Sequence, residues 1–219
     1  MKEVVLKKIN FKVIGIIVSL ILFESIFYLL AKLTPFNVLV LGNNIDNQLP
    51  FISEFIYFYI YWYLLLFLIP YVVYLKNEDL FYKYISIFIF CVIISTIIFF
   101  LLPTTLERPE IIVNDLDTFI LNLIYSMDNP ALNCFPSMHC AICFLFIYIS
   151  YFLEDLKWYY KTFFVVSSIL VIVSTLLIKQ HVIIDVIGAF ILCFLSIIFT
   201  QIFKFDNKVK KIAKSYLLP

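Results

Sequence analysis

Long apolar stretches alternate with short polar ones along the chain, and the apolar stretches fall near residues 13–31, 54–75, 84–102, 137–153, 161–178 and 182–203. A helix rises about 1.5 Å per residue, so crossing a hydrocarbon layer of about 30 Å takes roughly 20 apolar residues. Six stretches of about that length predict an all-α polytopic membrane protein, six transmembrane helices packed in one bundle. Nothing in the pattern shows the alternating segments of a membrane barrel. Without an internal repeat or a low-complexity linker, residues 1–219 are expected to form a single integral membrane domain. The first stretch follows Lys2, Lys7, Lys8 and Lys12, as a signal peptide would, but it runs on without a small-residue cleavage site, so it reads as a retained anchor.

The basic residues orient this bundle. Lys32, Arg108 and Lys179 fall in the first, third and fifth connections, whereas the other thirteen lie at the termini or in the second and fourth connections. Positive charge is retained on the cytoplasmic side. Both termini are therefore expected in the cytoplasm, with the odd connections outside, as in a plasma-membrane protein whose site faces the extracytoplasmic side.

Composition sharpens the class. With 64% hydrophobic and 14% charged residues, a soluble domain and a disordered chain are both excluded. The five cysteines, Cys91, Cys134, Cys140, Cys143 and Cys193, have no zinc-type spacing and suggest no disulfide framework. A net charge of +1 says nothing about partners, and no nucleic-acid partner is expected. The informative residues are the rare ones, namely the two histidines, His139 and His181, and the single arginine, Arg108. All three fall at the outer ends of predicted spans, where an ionisable residue marks a functional site by default.

Their surroundings carry chemistry. Pro136 and Ser137 stand immediately before the fourth stretch, in helix-starting positions that leave the first amides, at Met138 and His139, open to an anion. His181 and Asp185 are four residues apart, so a helix there would put both on one face and let the carboxylate fix the imidazole tautomer. These blocks, Arg108-Pro109, Pro136 to His139 and Ser174 to Asp185, resemble the three signatures of the type 2 phosphatidic acid phosphatase superfamily: Lys-x6-Arg-Pro, Pro-Ser-x-His and Ser-Arg-x5-His-x3-Asp. The order matches across residues 84–203, the expected motif-bearing core. The resemblance implies a six-span core, a metal-free mechanism without cofactor, and a phosphorylated lipid as substrate. It makes His181 the nucleophile that forms a phosphohistidine, Asp185 its orienting partner, His139 the general acid and Arg108 a phosphate ligand. Ser137 and Met138 would add backbone donors to that anion cradle.

Two positions depart from the pattern. Leu101 stands where the family has lysine, and Thr175 where it has arginine. The Ser174-Thr175 opening, with Lys179 and Gln180 before His181, looks like the inositol phosphorylceramide synthase branch, which transfers a phosphorylated head group between lipids. Lys179 could supply part of the missing charge, or be an ordinary headgroup-level lysine. The same residues serve a phosphatase if water attacks the intermediate and a phosphotransferase if a lipid hydroxyl does. A lipid binder or transporter with a degenerate site is a third reading.

Other features fit around this site. The third connection carries Glu107, Glu110, Asp115, Asp117 and Asp128, expected as a solvated cap rather than a metal site. A zinc site from His139, His181, Asp185 and Cys134 or Cys140 lacks any usual ligand spacing, so no metal is expected. Glu24, inside the first stretch, is expected to face the bundle. Gly188 reads as a close-packing position and the lysines 208 to 214 as a topology signal in contact with anionic lipid. Phe51, Phe55, Tyr59 and Tyr125 are candidates for pocket lining.

Overall fold

The structure, a computed structural model, describes residues 10–33 and 37–217. Lys2, Lys7 and Lys8, part of the charge asymmetry above, lie outside those residues. In chain order the described elements are α1 (Phe11–Lys32), β1 (Leu39–Leu41), α2 (Asn44–Gln48), α3 (Ile56–Lys76, entered through a 3-10 turn at Ser53–Phe55), α4 (Glu78–Leu101), β2 (Thr104–Leu106), α5 (Leu116–Met127), α6 (Met138–Tyr151), α7 (Trp158–Leu177), α8 (Ile183–Ile202) and α9 (Phe205–Leu217). The protein is a polytopic helical membrane protein. Among the described residues five helices, α1, α3, α4, α7 and α8, are long and apolar enough to cross a bilayer. The fourth expected span is shorter: α6 has 14 residues, about 21 Å of helix. It runs inside the bundle, with Cys140 to Cys143, Leu145, Phe146 and Ile149 all buried among the other helices.

The burial pattern is that of a bundle in lipid. On α8 the outward side carries Ile184, Ile187, Phe190, Ile191 and Phe194, while Asp185, Gly188, Ala189, Ser196 and Thr200 point inward. Apolar contact with lipid tails costs nothing, so small and weakly polar residues take the interfaces where backbones approach. Several buried hydroxyls satisfy themselves locally: Ser86, Thr96, Ser168 and Ser196 each donate to the carbonyl four residues back, at 2.7–2.8 Å. Helix ends are capped by side chains. Asn10 accepts the amides of Lys12 and Val13 to start α1, and Asn77 both ends α3 and accepts the Leu80 amide to start α4.

Two connections differ from expectation. The acidic third connection is not simply solvated, because α5 buries Leu121 against Ile56, Tyr59 and Ile178. Its acidic residues have separate jobs: Asp115 caps α5 and Asp117 accepts from Ser53 at 2.7 Å, whereas Glu107 and Glu110 are exposed. The lysine-rich segment after α8 is a further helix, α9, with Ala213 buried and Lys210 paired with Asp79 of α4. Lys208, Lys211 and Lys214 are exposed on it, the amphipathic pattern of a helix lying along a membrane surface. At the opposite end of the bundle β1 and β2 pair in parallel, Leu39 against Thr104, tying the first connection to the third.

Candidate active site

The residues singled out in the sequence meet at the β1–β2 end of the bundle. His181 lies just outside α8, so the His181–Asp185 contact does not come from a shared helical face. Val182 is the residue before the helix and Asp185 the third within it; Asp185 Oδ2 turns back to accept the Val182 amide at 3.1 Å and meets His181 Nδ1 at 3.1 Å. One fully buried carboxylate thus starts the helix and holds the imidazole through Nδ1, a contact that does not use Nε2. The backbone leading to His181 is fixed just as closely. Lys179 takes a left-handed conformation with φ 53°, and the Thr175 carbonyl then accepts both the Gln180 and His181 amides, at 2.9 and 3.0 Å.

The first connection clamps this turn. Asp46 Oδ1 accepts the Ile183 amide at 2.8 Å, and Lys179 Nζ donates to the carbonyls of Asp46 and Leu49 at 2.9 and 2.8 Å. The Lys179 ammonium is therefore committed to the first connection. It lines an outer cleft with Arg108 and His181 and is not among the residues lining the inner cavity.

At the start of α6, Ser137 Oγ accepts the Cys140 amide and the Ser137 carbonyl accepts that of Ala141, and the Met138 and His139 amides have no acceptor among the described residues. The Ser137 amide reaches the Asp185 carbonyl at 3.3 Å, joining the two histidine blocks. The His139 ring sits against Tyr59 and Trp62 of α3, centres 4.7 and 4.3 Å away, and its centre is 5.8 Å from that of His181. Gly188 makes room for this block: a Cβ there would lie 2.3 Å from the Phe135 ring.

Arg108 completes the arrangement. Its Nη2 donates to Asp128 Oδ2 at 2.6 Å and to Gln180 Oε1, and its guanidinium lies over Tyr125, 4.8 Å from the ring centre. Asp128 is held from the other side by Lys32 Nζ at 2.6 Å and Tyr28 Oη at 2.7 Å, both from α1. Burial pushes the Asp128 carboxyl upward, but the hydrogen bonds from Lys32, Arg108 and Tyr28 outweigh it and hold the group below the usual range. Lys32, Tyr28, Asp128 and Gln180 were not marked by the sequence as site residues, because the contacts that recruit them join positions 20 to about 100 residues apart. The family's two missing cationic positions are elsewhere: Leu101 is 79% exposed, and Thr175 is buried with its hydroxyl beside Cys140 Sγ.

Between α1, α3 and the motif-bearing helices lies a cavity of about 310 Å³, lined by Arg108, His139, Gln180 and His181 at one end and by Glu24, Ser25 and Tyr63 at the other. Arg108 and His181 also line the outer cleft, so they stand where the two spaces meet. Of the suggested lining residues, Tyr59 lines the cavity, Phe51 the cleft, and Phe55 and Tyr125 pack around Leu121. Cys134 also faces the cavity, where burial pushes its thiol up to about 12, far from a metal-binding thiolate. Among the described residues, the buried polar atoms of cavity-lining side chains without a partner include Arg108 Nε, Gln180 Nε2, His139 Nε2 and both ends of the Asn133 amide. Polar groups left unpaired in a shared cavity imply a ligand that pairs with them, and donors call for an anion.

No curated protein and no solved structure matches the chain. A family model described as the PAP2 superfamily matches residues 79–208, from the start of α4 to the start of α9. That block includes Arg108, both histidines and Asp185 but not α1 or α3, which bring Lys32, Tyr28, Tyr59 and Trp62. With more than half its length matched, and the three motif blocks gathered at one end of the bundle, the chain belongs to the PAP2 superfamily.

Proposed function

We propose that this protein is a metal-independent phosphatase of a phosphorylated lipid, working through a phosphohistidine at His181 on the extracytoplasmic face of the plasma membrane. The observation that carries the proposal is the His181–Asp185 contact beside a cavity with buried donors that lack partners among the described residues. His181 Nε2 attacks phosphorus while Asp185 stabilises the charge gained by the ring. The alcohol oxygen leaves with a proton from His139, whose ring is held against Tyr59 and Trp62. Water then gives its proton to His139 and attacks the phosphoryl group, the P–N bond breaks, and phosphate departs. Arg108 and the amides of Met138 and His139 stabilise the equatorial oxygens throughout.

Six membrane crossings, with α6 reaching only partway on its own, and both termini in the cytoplasm complete the proposal. The basic residues support that orientation, since among the described residues Lys32, Arg108 and Lys179 fall in the odd connections and the other ten in the even connections or toward the termini. A second reading, transfer of the phosphorylated head group to a lipid hydroxyl, is favoured by the extension of the cavity to Glu24 and Ser25, polar groups where an acceptor hydroxyl could be held.

The test is phosphate release by the purified protein from lipid phosphates and diphosphates in the presence of EDTA, beside His181→Ala. Release that survives chelation and disappears in the variant supports the phosphatase; release that persists in the variant rejects the assignment. If water yields no phosphate but a lipid alcohol yields a new phospholipid, the second reading replaces the first.

A further inference from the structure

Gln180 immediately precedes His181 and reaches Arg108. Its side chain is 3% exposed and lines the inner cavity with Arg108, His139 and His181. An amide presents oxygen at one end and two N–H donors at the other, and the two ends are easily confused. Here Arg108 removes the ambiguity. Guanidinium only donates, so the end that meets Arg108 Nη2 is the oxygen Oε1, and the opposite end is NH2. That Nε2 is buried and has no partner among the described residues, as is Arg108 Nε.

Unpaired buried donors are costly unless a ligand uses them. The backbone leaves Gln180 little freedom, since its amide is fixed on the Thr175 carbonyl at 2.9 Å one residue before His181. From these observations we infer that Gln180 is a phosphate-binding residue: its Nε2 donates to a phosphoryl oxygen while its Oε1 locks Arg108 to grip another. The role rests on the phosphoryl-transfer reading above, and it answers the loss of cations at Leu101 and Thr175 with a neutral donor. Arg108 and Gln180 then act as one unit, charge from the first and a second, fixed hydrogen bond from the second.

The informative substitution is Gln180→Glu. It keeps the size of the side chain and an oxygen that accepts from Arg108, but it replaces the cavity-facing NH2 with an anionic oxygen. Two measurements on the purified full chain are made: displacement of a bound phosphorylated lipid by inorganic phosphate, and kcat/KM for hydrolysis. Loss of one such donor lowers turnover by roughly a hundredfold or more, so kcat/KM is expected to fall at least that far and phosphate to lose its competition. If Gln180 served only to hold Arg108, the added carboxylate would act through its charge alone, about thirtyfold at an effective dielectric of about 20, and a fall no larger than that overturns the inference. Gln180→Leu, which removes both ends, is expected to be at least as impaired; a fully active Gln180→Leu also overturns it. Failure of the phosphatase reading is distinguishable: the wild type would then bind phosphate without releasing any from lipid, and loss of that binding in Gln180→Glu would still support the role of Gln180. A wild type that binds no phosphate overturns the inference.

Discussion

Lys32→Met tests whether α1 completes the electrostatics of the site. Lys32 and Arg108 hold the two oxygens of Asp128, each at 2.6 Å, with side-chain exposures of 17%, 11% and 27% for lysine, arginine and aspartate. Methionine keeps the aliphatic stem and removes the charge, together with a bond to the Pro130 carbonyl at 3.1 Å. A charge-assisted bond in a partly exposed pair is worth about 1–2 kcal/mol, between the surface and the buried limits. Unfolding should shift down by about 2–4 °C per kcal/mol in a chain of this size. The larger effect is on substrate. Without Lys32, Asp128 cancels Arg108, and one unit charge acting over about 8 Å at an effective dielectric of about 20 is worth about 2 kcal/mol, or roughly thirtyfold in binding. KM for a phosphorylated lipid in mixed micelles should therefore rise about ten- to thirtyfold, with a smaller change in kcat. Adding Asp128→Asn to Lys32→Met removes the uncompensated carboxylate and should bring KM back toward the wild type. An unchanged KM in the single variant, or a raised KM that the second change leaves raised, refutes this account of Lys32.

Further outcomes follow from the geometry. In Gly188→Ala the new methyl meets the Phe135 ring; overpacking of this kind costs about 1–3 kcal/mol, and displacing Phe135 disturbs Pro136 to His139, so activity should fall along with the unfolding temperature, and trimming Phe135 to Leu should recover part of both. The depressed Asp128 carboxyl stabilises the fold at pH above its unfolded value of about 4, and that contribution is lost as pH falls through the lower folded value. Thermal stability measured against pH should drop on the acid side of about pH 4, and Asp128→Asn should remove that part of the slope; an identical slope in the variant would count against the ion-pair assignment.

Much of the bundle was legible because its signals are local. Apolar runs of span length announce helices whatever they pack against, and the positions of Arg108, His139 and His181 at run ends placed them at one membrane face. The Pro136-Ser137 start of α6 was visible for the same reason. What escaped was long-range. Asp128 in an acidic segment reads as solvated until Lys32, Tyr28 and Arg108 are brought onto it from 96, 100 and 20 residues away. Lys179 reads as a charge for phosphate until the first connection turns its carbonyls to the ammonium. The contact of His181 with Asp185 was anticipated at a spacing of four, but by a helical face; the actual cause is the return of Asp185 to the helix start, which a sequence pattern cannot separate from the first. The helix at α9 was hidden by its low apolar content, since a surface helix needs only one apolar stripe.

The most direct measurement is identification of the phosphorylated residue during turnover. The wild type, mixed rapidly with a lipid phosphate and quenched under alkaline conditions that preserve phosphohistidine, should carry an acid-labile phosphoryl group on His181, and His181→Ala should carry none and release no phosphate. Turnover without phosphate on His181, or turnover that survives His181→Ala, would contradict the account.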